Sequence, residues 1–378
     1  MLRTLVVFGT RPEAIKMAPV VLELQSRAGI ETKLCVTGQH REMLDEALAV
    51  FGLTPDFDLD IMRPGQTLAD TTSSVLSRLS PILAEQKSHV MLVHGDTTTT
   101  FATGLAGFYQ GVPVGHVEAG LRTGNLHAPW PEEFNRRSVD MFAELLWAPT
   151  EAAAKVLRAE GRAEADVLIT GNTVLDALRL ITTRIRADAS LRQSLAKGRP
   201  ALTPGKRLLL VTGHRRESFN GGLASVCRAL NRLAERDDVE VVWSLHPNPQ
   251  VTSSVRAELH ARPNVHLVPP FDYLTFVGLM MEAHLIITDS GGIQEEAPSL
   301  SKPVLVTRNE TERPEAVHAG TAQLVGTDTD RIVQAATRLL DDPAAYAAMA
   351  DRPNPFGDSY AARRIVDSIV ARFQPRNR

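Results

Sequence analysis

The chain lacks the features that would cross-link it, anchor it in a membrane or give it a strong charge. It has only two cysteines in 378 residues, Cys35 and Cys227, and no Cys/His spacing of the kind that binds zinc, so we expect reduced thiols and no metal. No apolar run reaches the roughly 18 residues of a membrane-spanning helix, so we expect no membrane segment. Lys and Arg number 41 against 44 Asp and Glu, which argues against a nucleic-acid partner, because such proteins carry a basic excess.

The amino-acid composition is that of a folded, globular protein. With 43% hydrophobic and 22% charged residues, it is too apolar for a disordered protein and has the length of about two to three domains. The apolar start, residues 1–8, runs directly into a polar segment at residues 9–13 without a small-residue cleavage site. It therefore predicts a first strand and not a secretion signal, and we expect a cytoplasmic protein.

Short β-branched runs alternate with amphipathic stretches, such as residues 68–85 and 332–340, along the whole sequence. Several runs are continuously apolar, as expected of parallel strands that helices cover on both faces. The alternation predicts successive βαβ units. The predicted strands are residues 4–8, 33–37, 90–94, 113–117, 208–212, 239–245, 265–268, 285–288 and 304–307.

A domain boundary is predicted near the middle of the chain. The segment 196–206 is polar and rich in Pro and Gly, a fresh strand follows it, and we place the hinge itself near Gly171. We predict an N-terminal domain over residues 1–171, a C-terminal domain over 172–358, and a last helix over 359–378 that packs back on the first domain. Both are expected to be doubly wound, Rossmann-like α/β domains that face each other across a cleft.

The first predicted strand ends in a basic turn, GTRPE at residues 9–13. Pro12 suits the first turn of a helix, so the segment would present Arg11 and a helix N-terminus, with Lys16 one turn further on. This arrangement fits an anionic ligand, and it also fits a capped helix with solvated basic side chains. The chain has neither G-x-G-x-x-G nor G-x-x-x-x-G-K-[ST], so we expect no dinucleotide cofactor and no P-loop.

Acidic residues follow the next strand ends. Asp96 comes after the strand at 90–94, Glu118 comes after the strand at 113–117, and Glu132 opens the next predicted helix. Ligands bind beyond the carboxyl ends of parallel strands, so these acids are expected to share one site. Neighbouring carboxylates suit acid/base chemistry because they push each other's pKa values apart. Taken singly, Asp96 and the threonines after it also fit an ordinary helix cap.

The second half of the chain supplies a complementary set of groups. The sequence DSGGIQEE at residues 289–296 follows a strand, and Gly291 and Gly292 allow a phosphate to approach the backbone amides closely. Glu296 is placed to accept hydrogen bonds from a ribose diol, and Arg313 to clamp a diphosphate. An ordinary tight turn is the alternative for the start of this segment.

These polar segments form an ordered set that spans most of the chain: GTRPE (9–13), GQHR (38–41), GDT (95–97), VEAGLR (117–122), PEE with NR (131–136), GHRRE (213–217), DSGGIQEE (289–296) and ERPE (312–315). The set resembles the non-hydrolysing UDP-N-acetylglucosamine 2-epimerases. The resemblance implies a GT-B architecture, a cytoplasmic homodimer, and no cofactor or metal. It also implies interconversion of UDP-N-acetylglucosamine (UDP-GlcNAc) and UDP-N-acetylmannosamine (UDP-ManNAc) for cell-surface polysaccharide precursors.

The resemblance also implies a role for each residue that matches a family motif. The residues expected to take part in catalysis are Asp96, Glu118 and Glu132, with His214 assisting at the diphosphate or leaving group. The residues expected to bind the substrate are Arg11, Lys16, Ser290, Gly291, Gly292, Glu296 and Arg313, with Phe276 and its neighbours at 271–273 against the uracil. Which carboxylate serves which face of the sugar C2 is open at this point.

Some family members have a second, regulatory UDP-GlcNAc site. Gln39, His40 and His246 match motif positions associated with that site. In the segment 62–66, however, Gly65 stands where regulated members carry an arginine. This departure predicts weak or absent regulation by UDP-GlcNAc.

Three other functions are compatible with the same residues. A hydrolysing 2-epimerase would release free ManNAc and UDP, and a GT-B glycosyltransferase would move the sugar to an acceptor. A regulator that binds a nucleotide sugar without turnover is the third. A modified substrate, such as a 2,3-diacetamido uronic acid derivative, is a further alternative for the epimerase.

Overall fold

In the computed structural model of the protein, the described residues are 1–38, 41–213, 221–245, 248–259 and 261–373. Four predicted site residues, Gln39, His40, His214 and His246, lie outside the described residues. The chain forms two compact units. The N-terminal unit contains Met1–Arg179 and the residues from Phe356 onward, and the C-terminal unit contains Leu180–Pro355.

The N-terminal unit is built on a seven-stranded parallel sheet with the order β3-β2-β1-β4-β5-β6-β7. Its central strand pairs with a neighbour on each side, with Val6 opposite Leu34 and Leu92. The strands are β1 Leu2–Phe8, β2 Ile30–Val36, β3 Phe57–Asp58, β4 Val90–His94, β5 Val114–Val117, β6 Leu145–Ala148 and β7 Val167–Ile169.

The C-terminal unit contains a six-stranded parallel sheet with the order β10-β9-β8-β11-β12-β13. Val211 on its central strand lies opposite Trp243 on one side and Ile287 on the other. The strands are β8 Arg207–Gly213, β9 Val239–Leu245, β10 Val265–Val268, β11 Leu285–Thr288, β12 Val304–Val306 and β13 Ala322–Leu324.

Helices connect the strands in both units. Those of the N-terminal unit are α1 Arg11–Ser26, α2 Arg41–Phe51, α3 Leu68–Gln86, α4 Thr98–Tyr109, α5 Glu132–Phe142, α6 Glu151–Ala159 and the last helix, α16 Ala361–Phe373. Helix α7, Thr173–Ala187, runs from the first unit into the second. The others are α8 Ala189–Lys197, α9 Gly222–Leu233, α10 Pro249–Glu258, α11 Tyr273–Glu282, α12 Gly291–Glu296, α13 Pro314–His318, α14 Thr329–Asp341 and α15 Pro343–Ala350.

Continuous apolar runs form the central strands because helices cover them. All five residues of β4 and all four of β11 are buried, as expected of strands in a parallel sheet. The sequence-based bounds of β4, β9, β10 and β11 are confirmed, whereas β3, β6, β7 and β13 were missed. These four strands have two to four residues each, and β6 (LLWA) and β13 (AQL) contain no β-branched residue, so neither length nor composition indicates a strand.

Helix α16 brings the end of the chain back to the N-terminal unit. It packs against α1, and Ser368 Oγ accepts a hydrogen bond of 2.8 Å from the indole Nε1 of Trp147. The buried Asp176 accepts hydrogen bonds of 3.1 Å from the backbone N–H groups of Ala361 and Ala362. A carboxylate at this position satisfies amides that would otherwise have no partner at the start of a helix.

Both cysteines are buried free thiols. Burial raises the pKa of Cys35 and of Cys227 to about 12, so neither thiol ionises near neutral pH. Among the described helices, none combines the length and the apolar character that a membrane crossing needs.

Candidate active site

The carboxyl ends of β4 and β5 lie side by side in the N-terminal sheet. The two strands are parallel neighbours with His94 opposite Val117. Asp96 comes just after the end of β4, and Glu118 directly follows β5. The fold therefore brings these two acids to the same edge of the sheet.

Two nitrogen groups hold the side chain of Glu118. Its Oε2 lies 2.5 Å from Lys16 Nζ and 3.0 Å from His94 Nε2. The backbone of Glu118 has a φ of 66°, in the left-handed region that costs a non-glycine residue about 1–2 kcal/mol. Backbone strain of this kind occurs at functional sites, and at Glu118 it coincides with a buried ion pair at the end of a strand.

Asp96 is held by α5. Arg136 forms an ion pair with the Asp96 carboxylate, and Asn135 Nδ2 donates a hydrogen bond of 2.9 Å to the Asp96 backbone oxygen. The Arg136 guanidinium also donates to Glu133 Oε2 at 3.1 Å. The second turn of α5 thus fixes both the backbone and the side chain of Asp96.

The two acids at the start of α5 differ in their surroundings. Glu133 is fully buried and accepts hydrogen bonds from the backbone N–H groups of Thr123 and Gly124 at 3.0 and 3.2 Å, which is a structural role. Glu132 is partly buried, and its Oε2 is buried without a hydrogen-bond partner among the described residues. A buried carboxylate oxygen without a partner is costly, so Glu132 is suited to meet a ligand.

Arg11 lies in the first turn of α1, whose N-cap is Thr10. The buried carboxylate of Glu13 accepts hydrogen bonds from Thr10 N at 2.8 Å and from Thr97 Oγ1 at 2.7 Å, which joins the turn after β1 to the turn after β4. Within the described part of the chain, the side chain of Arg11 makes no hydrogen bond or ion pair. Its guanidinium is therefore a cation suited to an anionic ligand.

In the C-terminal unit, Arg313 lies beside the glycine turn that follows β11. A Cβ placed on Gly291 would come within 3.9 Å of the Arg313 guanidinium carbon. The buried carboxylate of Glu295 forms an ion pair with Arg313 Nε. Ser290 is fixed by a hydrogen bond of 2.9 Å from its backbone N–H to Thr288 Oγ1. The glycine turn, with Gly292 next in it, thus faces an oriented guanidinium.

Glu296 and Phe276 lie on the elements around this turn. Tyr273 donates a hydrogen bond of 2.9 Å from its hydroxyl to Glu296 Oε2, and burial together with this carboxylate raises the Tyr273 pKa well above its ordinary value. Phe276 lies one turn further along α11 and is half-buried. One carboxylate oxygen of Glu296 therefore accepts a hydrogen bond from the protein itself. This bond is additional to the one from a ribose that the sequence predicts for Glu296.

Comparison with known proteins decides the family. A profile described as UDP-N-acetylglucosamine 2-epimerase matches residues 22–370. The chain belongs to the UDP-N-acetylglucosamine 2-epimerase family. It is similar to the UDP-N-acetylglucosamine 2-epimerase of Escherichia coli K12, with 53% identity over 369 residues that cover 97% of this chain and 98% of that protein.

Solved structures of other epimerases agree with this assignment. The UDP-GlcNAc 2-epimerase from Neisseria meningitidis, bound to UDP-GlcNAc, is 46% identical with a TM-score of 0.90 and covers 98% of this chain and 100% of its own. The enzyme from Methanocaldococcus jannaschii, in complex with UDP-GlcNAc and UDP, is 29% identical with a TM-score of 0.80, at 98% and 100% coverage. With the two parallel sheets, these likenesses confirm the predicted GT-B-like α/β fold of two Rossmann-like domains.

Two residues of the candidate site did not stand out in the sequence. His94 is the last residue of an apolar strand, and only its position at the strand end distinguishes it from a core histidine. Arg136 lies in the NR segment, but its pairing with Asp96 depends on how α5 packs. Tyr273 belongs to the segment predicted to contact the uracil, but no sequence feature links it to Glu296. No group of His, Cys, Asp and Glu side chains that could hold a metal ion occurs in the described ranges.

Proposed function

We propose that this epimerase interconverts UDP-GlcNAc and UDP-ManNAc without releasing free sugar. The observation that carries the proposal is the pair of acids at the ends of β4 and β5, with Asp96 held by Arg136 and Glu118 held by Lys16, in a chain of this family. Similarity to the N. meningitidis enzyme, whose solved structure contains UDP-GlcNAc, supports the substrate.

The chemistry of the substrate explains why paired acids are needed. The hydrogen on the sugar C2 has no adjacent carbonyl, so a carboxylate of ordinary basicity does not remove it directly. When the C1–O bond breaks and its electron pair leaves with UDP, the developing positive charge makes this hydrogen far more acidic. A carboxylate takes the proton, the C2–H electrons form the C1=C2 bond of 2-acetamidoglucal, and re-addition of UDP with protonation on the other face gives the epimer.

Within this proposal, the N-terminal unit performs the proton transfers. Asp96 and Glu118 act on C2, one on each face. Glu132 contacts the sugar through its buried Oε2, which has no hydrogen-bond partner among the described residues. The Lys16 ammonium favours the ionised form of Glu118, which is the form that a base requires. Arg11 supplies a positive charge for the anionic substrate.

The C-terminal unit binds the departing UDP in this proposal. Arg313 stabilises the negative charge that develops on the diphosphate, beside the glycine turn formed by Ser290, Gly291 and Gly292. Glu296 accepts a hydrogen bond from the ribose, and Phe276 contacts the uracil. His214, outside the described residues, keeps the assisting role that the family resemblance predicts.

Incubation with UDP-GlcNAc alone in heavy water tests the proposal. The epimerase forms UDP-ManNAc and introduces deuterium at C2 of both nucleotide sugars, which mass spectrometry and NMR detect. Release of free ManNAc and UDP would instead indicate a hydrolase. Unlabelled C2 with no UDP-ManNAc would indicate a transferase or a regulator, and would contradict the proposal.

We further propose that the protein is a cytoplasmic homodimer, as the family resemblance implies. Helices α4 and α5 support an interface because they expose a cluster of aromatic side chains: Phe108 and Tyr109 are 58% and 68% exposed, and Phe108 packs on Phe142 at 5.5 Å between ring centroids. Large exposed apolar patches mark interaction sites. Sedimentation velocity tests this assembly, and a monomer at micromolar concentration would contradict it.

A further inference from the structure

A buried histidine–aspartate pair lies directly behind the two acids of the N-terminal sheet. His116, inside β5, has no exposed surface, and Asp140, on α5, is 2% exposed. The imidazole Nδ1 lies 2.6 Å from Asp140 Oδ1, and its Nε2 lies 2.7 Å from the backbone oxygen of Gly95. The proposed reaction gives no role to either residue.

The hydrogen bonds define the donor and acceptor roles in this pair. A backbone oxygen only accepts, so Nε2 of His116 is the donor to Gly95. Burial on its own raises the pKa of Asp140, but His116 and Arg122 beside it outweigh burial and hold the pKa below its ordinary value. The Asp140 carboxylate is therefore an acceptor on the other side of the imidazole.

An outer ion pair balances the buried Asp140 carboxylate. Arg122 Nη1 lies 2.8 Å from Asp140 Oδ2, and Arg122 also pairs with Glu160 at 2.7 Å. His116, Asp140, Arg122 and Glu160 thus form one chain of contacts. A buried charge is tolerated where it is paired and hydrogen-bonded, so the arrangement is stable enough to hold its neighbours in place.

The pair holds the backbone next to each of the two proposed catalytic acids. Through Gly95 it fixes the residue before Asp96. Asp140 Oδ2 also accepts a hydrogen bond of 3.1 Å from the backbone N–H of Gly120, two residues after Glu118. Gly120 has a φ of 87°, and a Cβ there would lie 2.4 Å from the backbone oxygen of Ala153. The strained turn that carries Glu118 is therefore closed by Asp140.

We propose that His116 and Asp140 are positioning residues that fix the separation between Asp96 and Glu118, so that both faces of the sugar C2 are served in one turnover. The inference rests on the proposed function, since it concerns the two acids of that reaction. Without the pair, one acid still removes the C2 proton, but the other is displaced from the opposite face. The intermediate then returns to UDP-GlcNAc or escapes as 2-acetamidoglucal and UDP more often than it completes the inversion.

The substitution His116→Gln tests this role, with His266→Gln as its matched control. His266 also pairs with a buried acid, since its Nε2 lies 2.9 Å from Glu240 Oε1, but it lies on β10 in the C-terminal unit and has no part in the proposed reaction. In heavy water we expect His116→Gln to lower kcat at least tenfold with less than a threefold change in KM. We also expect the ratio of deuterated UDP-GlcNAc plus free glucal to UDP-ManNAc to rise at least threefold. The control keeps the wild-type ratio.

A second measurement does not depend on activity. Hydrogen–deuterium exchange of the full chain should become faster in both the Gly95–Asp96 and the Glu118–Gly120 backbone segments of His116→Gln, and in neither segment of the control. Asp140→Asn serves the same purpose if the first variant does not fold. An unchanged product ratio in a folded variant, unchanged exchange at these two segments, or an equal change in the control would overturn the proposal. Absence of deuterium at C2 with the wild-type protein would instead refute the proposed function. The hydrogen–deuterium exchange data would still show whether His116 and Asp140 hold the two backbone segments.

Discussion

The two units share one strand order, apart from a seventh strand in the N-terminal sheet, but present different chemistry at the corresponding edge of the sheet. In each, a central strand, β1 or β8, lies between the second strand of the unit and the fourth. Beyond β4 and β5 of the N-terminal unit stand Asp96 and Glu118, while beyond β11 of the C-terminal unit stand a glycine turn and Arg313. The fold therefore supplies the edge, and the side chains placed on it decide the chemistry.

The charges at the two edges are arranged in opposite ways. In the N-terminal unit, cations orient carboxylates, since Lys16 pairs with Glu118 and Arg136 pairs with Asp96. In the C-terminal unit, the buried Glu295 carboxylate orients the Arg313 guanidinium. The first arrangement suits proton transfer at carbon, and the second suits a diphosphate.

Among the substitutions at the two edges, Asp96→Asn is expected to change turnover most. The substitution keeps the shape of the side chain but removes the charge and the basic oxygen, so we expect kcat to fall by about 10²–10⁴-fold while UDP affinity changes little. Steady-state kinetics and UDP titration measure the two quantities. The control is Asp367→Asn, an exposed acid of the same unit that pairs with Arg27. Equal loss of turnover and UDP affinity in Asp96→Asn would contradict the assigned role.

A second effect concerns the stability of the N-terminal unit, against which helix α16 packs. Burial raises the pKa of Asp176, which meets the start of α16, to about 6, against about 3.9 in an unfolded chain. The folded form therefore holds its proton more tightly, and this stability is present below pH 4 and lost as the pH rises through 6. The free energy of unfolding of Asp176→Asn, relative to wild type, should rise by about 2 kcal/mol between pH 4 and pH 6.

Denaturant unfolding at a series of pH values measures this difference. The control is Asp188→Asn in the C-terminal unit, where a hydrogen bond from Ser190 holds the aspartate pKa below its ordinary value. A lowered pKa contributes stability that is lost as the pH falls. The free energy of unfolding of Asp188→Asn, relative to wild type, should therefore not rise from pH 4 to pH 6. A flat difference between Asp176→Asn and wild type from pH 4 to 6 would show that the buried carboxylate does not limit the stability of the N-terminal unit.

A smaller effect is expected at the edge of the C-terminal sheet. Arg313→Ala removes the guanidinium beside the glycine turn, so we expect UDP affinity to fall about tenfold to a hundredfold. Calorimetric titration with UDP measures it. Arg232→Ala is the control, since this exposed arginine of the same unit pairs only with the exposed Asp330 among the described residues. Unchanged UDP affinity in Arg313→Ala would remove the nucleotide from this edge.

Much of this fold follows from hydrophobic patterning, because long buried strands leave a distinct pattern. The strand at Val90–His94, the helix at Leu68–Gln86 and the start of the last helix, Ala361–Phe373, were predicted to within a residue or two. Strands such as Phe57–Asp58 and Ala322–Leu324 form because a neighbouring strand offers hydrogen bonds, and no local pattern indicates them.

The site was predictable only in part. The position of Asp96 and Glu118 after strand ends indicated a shared edge, because parallel strands end together. Their partners could not be predicted, since Lys16 is 102 positions from Glu118 and Arg136 is 40 positions from Asp96. Such pairings depend on strand order and helix packing, which the sequence pattern alone leaves open.

The two units are predicted to divide the reaction between them, and hydrogen–deuterium exchange of the full chain with UDP alone shows which unit holds the nucleotide. UDP carries no sugar C2, so its protection should be greatest where the nucleotide binds. We predict the strongest protection in the segments around Ser290–Glu296 and Arg313 of the C-terminal unit. Protection centred on Asp96 and Glu118, with none around Arg313, would contradict the account.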